Sequence, residues 1–262
     1  MQHMTIANWL GERVRYLILW PINLVRDFPI RFIRLLQTAR RLLLGILFLL
    51  PELVDAIRHA ETKSWVRYKL GRVVDWLHRL AAQLFDLLGG PEIAQFFFHF
   101  FTSTTPLTAE EITMMSNIIG PDSIRYREVR VAQGGLLNIV FKYNGNLAFA
   151  TWRTINIPQT GRHTHDNHPL VAHELTHIYQ YERIGSRYLG EAIYMLVKTK
   201  RDCYDYGGRS GLEYACATGI HYCDYNREQQ AMIVQDYYTL QQLGADVSAY
   251  QPYIIELQEG LF

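Results

Sequence analysis

Apolar and charged residues recur at two different periods in this sequence, and the change falls near residue 101. Before it the period is helical. The run "RFIRLLQTARRLLLGILFLL" sets Arg31, Arg34, Thr38 and Arg41 along one stripe, with Ile33, Leu36, Leu43 and Leu47 around the rest of the cylinder. Pro29 suits the first turn of that helix, and Pro51 marks its end or the first turn of the next. A further helix is predicted from about Ser64 to Leu88, stopped by Gly89, Gly90 and Pro91. Residues 1–101 are thus expected to form an all-helical region.

The stretch "TSTTP", residues 102–106, reads as a boundary. After it, Thr108 and Glu111 form a capping box ahead of a short helix that ends near Gly120. The period then becomes that of strands. "REVRVAQGG" and "NLAFATWRTINIP" are rich in β-branched and aromatic residues and bounded by Gly, Asn and Pro. Helical spacing returns over residues 169–183, 186–200 and 227–243. Residues 107–262 are therefore expected to be a second, α+β domain, a small sheet followed by helices.

Charge changes this picture in the first half only. The whole chain carries 26 Lys and Arg against 25 Asp and Glu, which argues against a nucleic-acid partner. Residues 1–50 hold seven arginines against Glu12 and Asp27. Such a segment either packs as a helical layer with its arginines in water, or lies on an anionic membrane surface or a partner. The most apolar run, Leu42–Leu50, is far shorter than the ~20 residues a spanning helix needs. No signal-peptide cleavage pattern follows the first apolar run, so a cytoplasmic start is expected, with any export by a dedicated machine. Cys203, Cys216 and Cys223 include no C-x-x-C pair and are expected to be buried free thiols.

Residues 173–177, "HELTH", match H-E-x-x-H. Residues four apart share a helix face, so the imidazoles of His173 and His177 can reach one ion. Glu174, about 100° around the helix, can address a metal-activated water without being a ligand. Pro169 suits the first turn, Val171, Leu175 and Ile178 give a core-facing side, and Gly185 stands where the helix should end. Zn2+ is the expected cofactor, with Glu174 as general base.

A third ligand must come from elsewhere. Gln180 and Arg183 occupy the positions where an extended H-E-x-x-H-x-x-G-x-x-H motif needs Gly and His. Glu228 is the leading candidate, in the first turn of a helix capped by Asn226 with Gln229 at the box position. Glu213 and Glu191 remain alternatives, with His221, Asp205 and Asp224 further out. For the group that stabilises a developing oxyanion, Tyr204, Tyr206, Tyr222, Tyr225 and His221 are candidates. His163, His165 and His168 cluster before the helix and read as an exposed loop.

"LVAHELTHIYQYERIGSRYLGEA" together with "YNREQQAMIVQDYY" resembles the HExxH, gluzincin-like metallopeptidase domains of bacterial Rhs- and Vgr-associated proteins of type VI secretion and polymorphic toxin systems. The resemblance covers roughly residues 107–243 and includes the strand-rich segment "VRVAQGGLLNIVFKYNGNLAFATWRTINIP". It implies a zincin-like domain with His173, His177 and Glu228 as metal ligands and Glu174 as base, in a secretion-linked bacterial effector. Thermolysin-like gluzincins carry an aspartate four residues after the ligand glutamate, where this chain has Met232. Asp236, Asp224 or a backbone carbonyl would then orient a histidine instead.

The leading expectation is a zinc-dependent endopeptidase acting on a peptide or protein, with residues around Ala148 to Ile157 offering an edge for an extended substrate. The alternative is a non-catalytic, zinc-stabilised structural or delivery module whose basic helices bind a partner or membrane. A secretion-system partner fits either reading.

Overall fold

Helix continues with short breaks from Ile6 to Phe98 in the computed structural model, which describes residues 6–158 and 166–261. Its four pieces are α1 (Ile6–Leu47), α2 (Leu49–Arg58), α3 (Thr62–Leu87) and α4 (Gly90–Phe98). Pro51 lies in the first turn of α2. Pro29, expected in a first turn, instead lies with Pro21 inside α1. Each removes one i→i−4 hydrogen bond. Both are exposed, however, and α1 is held from its other side, where Trp76 Nε1 donates to Thr38 O at 3.1 Å and Arg34 to Glu182 O at 2.6 Å. The break between α3 and α4 falls at Gly89, as expected; its φ of 75° and the side chains of Leu24 and Trp20, 3.2 Å from where a Cβ would stand, both favour glycine.

The inward face of these helices is polar. Apart from Ala56 and the turn residues Gly89 and Pro91, the buried described residues before Thr102 carry polar side chains, among them Arg13, Asp27, Arg31, Asp86, Glu92 and His99. The expectation of arginines facing water therefore fails for Arg13 and Arg31. Arg31 pairs with Glu92 and donates to Asp86 O at 2.5 Å. Asp27 receives Arg125 at 2.5 Å and Arg153 at 3.0 Å, and Arg153 also reaches Glu182 at 2.6 Å. Burial opposes ionisation of Asp27, but Arg153 and Arg125 outweigh it and hold the carboxyl below its ordinary range. Removing one member of such a network leaves a buried charge uncompensated, at a cost of about 3–5 kcal/mol. The network ties α1 and α4 to the rest of the molecule.

Residues 103–106, read as part of a boundary, form the edge strand β1 (Ser103–Pro106). It pairs antiparallel with β2 (Arg130–Gln133); β2 runs parallel to β4 (Thr154–Asn156), and β3 (Phe149–Thr151) closes the other side antiparallel to β4. The sheet order is β1-β2-β4-β3. Helix α5 (Ala109–Ile119) starts at the Thr108–Glu111 capping box as predicted. Residues 137–144, inside the segment likened to strands, fold as α6 (Leu137–Asn144), ended by Gly145 at φ 77°.

Helix α7 (His168–Ile184) crosses the centre, with every residue from Leu170 to Tyr181 buried. Its apolar side, Val171, Leu175 and Ile178, packs with Met115 and Ile118 of α5 and Ile155 of β4. The chain finishes with α8 (Arg187–Thr199), α9 (Gly208–Ala217), α10 (Arg227–Gln242) and α11 (Gln251–Glu259), of which α10 and α11 add Ile233, Val234 and Ile254 to the same core. A helical first region followed by a small mixed sheet and helices is the α+β arrangement expected. No helix among the described residues is long and apolar enough to cross a membrane. The three cysteines are free, but only Cys203 is buried.

One of the joints is set by pH. His99 is buried and donates from Nε2 to Asn156 Oδ1 at 2.9 Å, because the Asn156 amide is oriented by donating to Phe149 O and Thr151 Oγ1. Burial pushes the imidazole down to about 4 from its ordinary 6.5. The unfolded chain therefore binds a proton between those values that the folded chain refuses. This stabilisation is complete above pH 6.5 and lost as pH falls towards 4, about 2 kcal/mol of it between pH 7 and 5. Urea unfolding at those two pH values should show that loss, and His99→Gln should remove about that much of the difference.

Candidate metal centre

The HELTH turn owes its position to both ends of α7. Asn167 caps the helix by accepting from Leu170 N at 3.3 Å, and Pro169 occupies the first turn. The third acidic group arrives from the start of α10, where Asn226 accepts from Glu228 N at 2.9 Å and Gln229 N at 3.0 Å while Gln229 returns a bond to Asn226 N. Glu228 is thereby fixed in a first turn that faces α7.

His173 Nε2 and His177 Nε2 each lie 3.3 Å from Glu228 Oε2, and all three side chains are buried. This is the one group of three or more such side chains among the described residues whose donor atoms all lie within 4.8 Å of one another. Zinc–ligand bonds of 2.0–2.1 Å at tetrahedral angles separate neighbouring ligand atoms by about 3.3–3.4 Å. The donor set, two imidazoles and one carboxylate, fits a zinc ion with a fourth position left for solvent. In the metal-free protein the same proximity makes an ion pair. Burial disfavours both charges, but the Glu228 carboxylate raises His177 to about 9, and the imidazoles hold Glu228 well below the usual carboxylate range.

His177 Nδ1 meets Gln180 Oε1 at 2.9 Å. The Gln180 amide in turn donates to Arg227 O and Gln230 Oε1, both at 3.0 Å, and Arg227 donates to Glu191 at 2.8 Å. Because the amide nitrogen is committed to two acceptors, its oxygen must face the histidine, which fixes Nε2 as the ring atom free to bind metal. Neither Asp236 nor Asp224 takes this role: Asp236 accepts from Tyr206, and Asp224 caps His221 N. Gln180→Ala should weaken zinc binding about tenfold to a hundredfold in competition with a chromophoric chelator. Unchanged affinity in the alanine variant would remove Gln180 from the centre.

Glu174 is buried beside the trio. The Ala150 backbone N–H favours its charged form, while Oε2 has no hydrogen-bond partner among the described residues. Burial raises its pKa against the pull of the two histidines. The result is a basic oxygen beside the metal-binding atoms that no described residue bonds. Ala150 is held by the β3–β4 turn, where Trp152 adopts φ 50°, a strained value for a bulky residue. Tyr188 secures that turn by accepting from Trp152 N at 2.9 Å and donating to Ala150 O at 3.2 Å. The outer edge of β3 at Ala150 is thus already bonded within the protein, which corrects the expectation of an open edge for substrate there.

Of the oxyanion candidates, only Tyr204 stands at the centre, its ring 6.1 Å from that of His173. Burial and the nearby Glu228 push its phenol pKa up, so it remains a proton donor. Tyr206 bonds Asp236, Tyr222 donates to Gln230 O, Tyr225 packs on Tyr253, and His221 pairs with Glu256. The alternative ligands are likewise engaged: Glu213 is exposed against Arg209, and Glu191 joins Arg187 and Arg227. Asp205 accepts from Gly207 N, and His168 lies 3.7 Å from Glu110. His163 and His165 lie outside the described residues.

Residues 106–185 match the family model of the eCIS core domain, the core domain of extracellular contractile injection systems. The match runs from the end of β1 through α7. It therefore includes His173, Glu174 and His177 and stops short of Glu228. No curated protein and no solved structure matches the chain. The expected link to a secretion apparatus holds in this coarser form, as a link to injection systems.

Proposed function

We propose that the protein is a zinc-dependent peptidase with a zincin-like catalytic domain, serving as an effector or processing component of a contractile injection system. The observation that carries this reading is the meeting of His173, His177 and Glu228 beside an oxygen of Glu174 that no described residue bonds. A zinc ion held by the three ligands would supply Lewis-acid polarisation and lower the pKa of a water. Glu174 Oε2 would be placed to take the proton from the attacking water as the water's oxygen bonds to the scissile carbonyl carbon. The same carboxyl then delivers the proton to the leaving nitrogen as the C–N bond breaks. Tyr204 donates a hydrogen bond to the carbonyl oxygen while negative charge builds there. Gln180 keeps His177 in the required tautomer throughout.

Release of the protein from the producing cell through the injection apparatus is part of this proposal, supported by the match over residues 106–185. A Rhs- or Vgr-associated context is a narrower version of it. The test is hydrolysis of an unfolded polypeptide by purified protein. Cleavage that stops on chelation and returns with zinc supports the reading. Inert behaviour towards every unfolded substrate, with zinc bound, counts against it.

A further inference from the structure

Helices α1–α3 are turned inside out relative to a helical layer in water. Apart from Ala56 their buried side chains are polar, and Arg13, Asp27, Arg31 and Asp86 bond the rest of the molecule, whereas most large apolar side chains face outward. Val25 is 74 % exposed and Leu50 68 %, values normally found for charged residues. At 100° per residue, and leaving aside Trp20, which falls within the polar sector, the exposed apolar positions of α1 fan from Leu17 through Leu36 to Ile30, an arc of about 220°. The buried polar positions, from Asn23 to Arg31, occupy about 80°. A partner helix covers a stripe of roughly 100°. An arc twice as wide suits a surrounding medium better than a single protein seam.

The charges that remain outside are also placed. Arg31 meets Asp86 and Thr38 meets Trp76, so α1 and α3 run antiparallel and residues 40–72 form the tip of the arm. Within that tip the exposed cations are Arg40, Arg41, Arg58, Lys63, Arg67 and Arg72, against Asp55 and Glu61. The other α1 arginines are spent on internal acceptors or Glu128. A wide apolar face bounded by a net-basic tip is the composition of an interfacial helix on anionic lipid, with long cationic stems reaching the headgroups. At 42 residues α1 is about 63 Å long, which suits lying along a surface.

We infer that the arm α1–α3 docks on the surface of an anionic lipid bilayer, burying its outward apolar face at the acyl boundary while the metal centre stays in water. This inference does not depend on the peptidase reading. It is tested by floating the full-length protein through a density gradient with phosphatidylcholine vesicles containing about one third phosphatidylglycerol. Wild-type protein should rise with the vesicles. The triple variant Val25→Gln, Phe28→Gln, Phe32→Gln alters only exposed side chains, so its circular dichroism should be unchanged while its vesicle-bound share falls at least about tenfold. Arg40→Glu with Arg41→Glu should also weaken binding. Glu174→Gln should float like wild type, which separates this result from any failure of catalysis. Wild-type protein left at the bottom, or a folded triple variant that still rises, overturns the proposal. A discrete oligomer that forms without lipid and does not float overturns it in favour of a second copy of the chain.

Discussion

Glu174→Gln should retain its zinc and lose hydrolysis, with turnover reduced about a thousandfold, within the range assigned to a positioned general base. The amide keeps the size of the side chain and can still meet Ala150 N–H through its oxygen. What it lacks is a second oxygen able to take a proton. Because Glu174 is not among the three side chains whose donor atoms cluster, the trio of metal-binding atoms is unaltered. Metal content and single-turnover cleavage measured on one preparation separate the two properties. Activity within a few fold of wild type would leave the zinc with a structural role only.

Glu228→Ala has a larger effect on the centre itself. It removes one of three protein ligands, so zinc affinity should fall by more than the tenfold to hundredfold typical of an outer-shell loss, and catalysis should vanish with it. Without metal, His177 also loses the carboxylate that raises its pKa. Glu213→Ala should keep a full complement of zinc, because that carboxylate is exposed and paired with Arg209. Glu191→Ala frees Arg227 yet leaves the three donor atoms together. Zinc retained by Glu228→Ala and lost from either of the others would reassign the third ligand.

The parts of this centre that were legible in the sequence obey local rules. Four-residue spacing on one helix, an Asn cap with a Gln box partner, and a Thr-x-x-Glu box each depend on residues within one or two turns. Gln180 follows the same logic, three residues after His177 and on its face, but as a sequence signal it marks only the absent glycine of the longer motif. The polar inward face of α1 was not legible. Arg31 finds Glu92 and Arg34 finds Glu182 O, partners 61 and 148 residues away, and a run of arginines alone does not say whether they meet water or acids. Helix α6 escaped notice because an eight-residue β-branched and aromatic segment satisfies either period. The two prolines inside α1 are a case of tertiary contacts overriding a local breaker.

Every chemical step proposed above needs His173, His177 and Glu228 to hold one divalent ion together. Calorimetric titration of chelator-stripped, full-length protein with Zn2+ asks for this without reference to substrate, membrane or secretion. One equivalent taken up by the wild type and released by chelator, with a much weaker signal from Glu228→Ala, is the outcome these distances predict. A stripped, folded protein that takes up no zinc would contradict it.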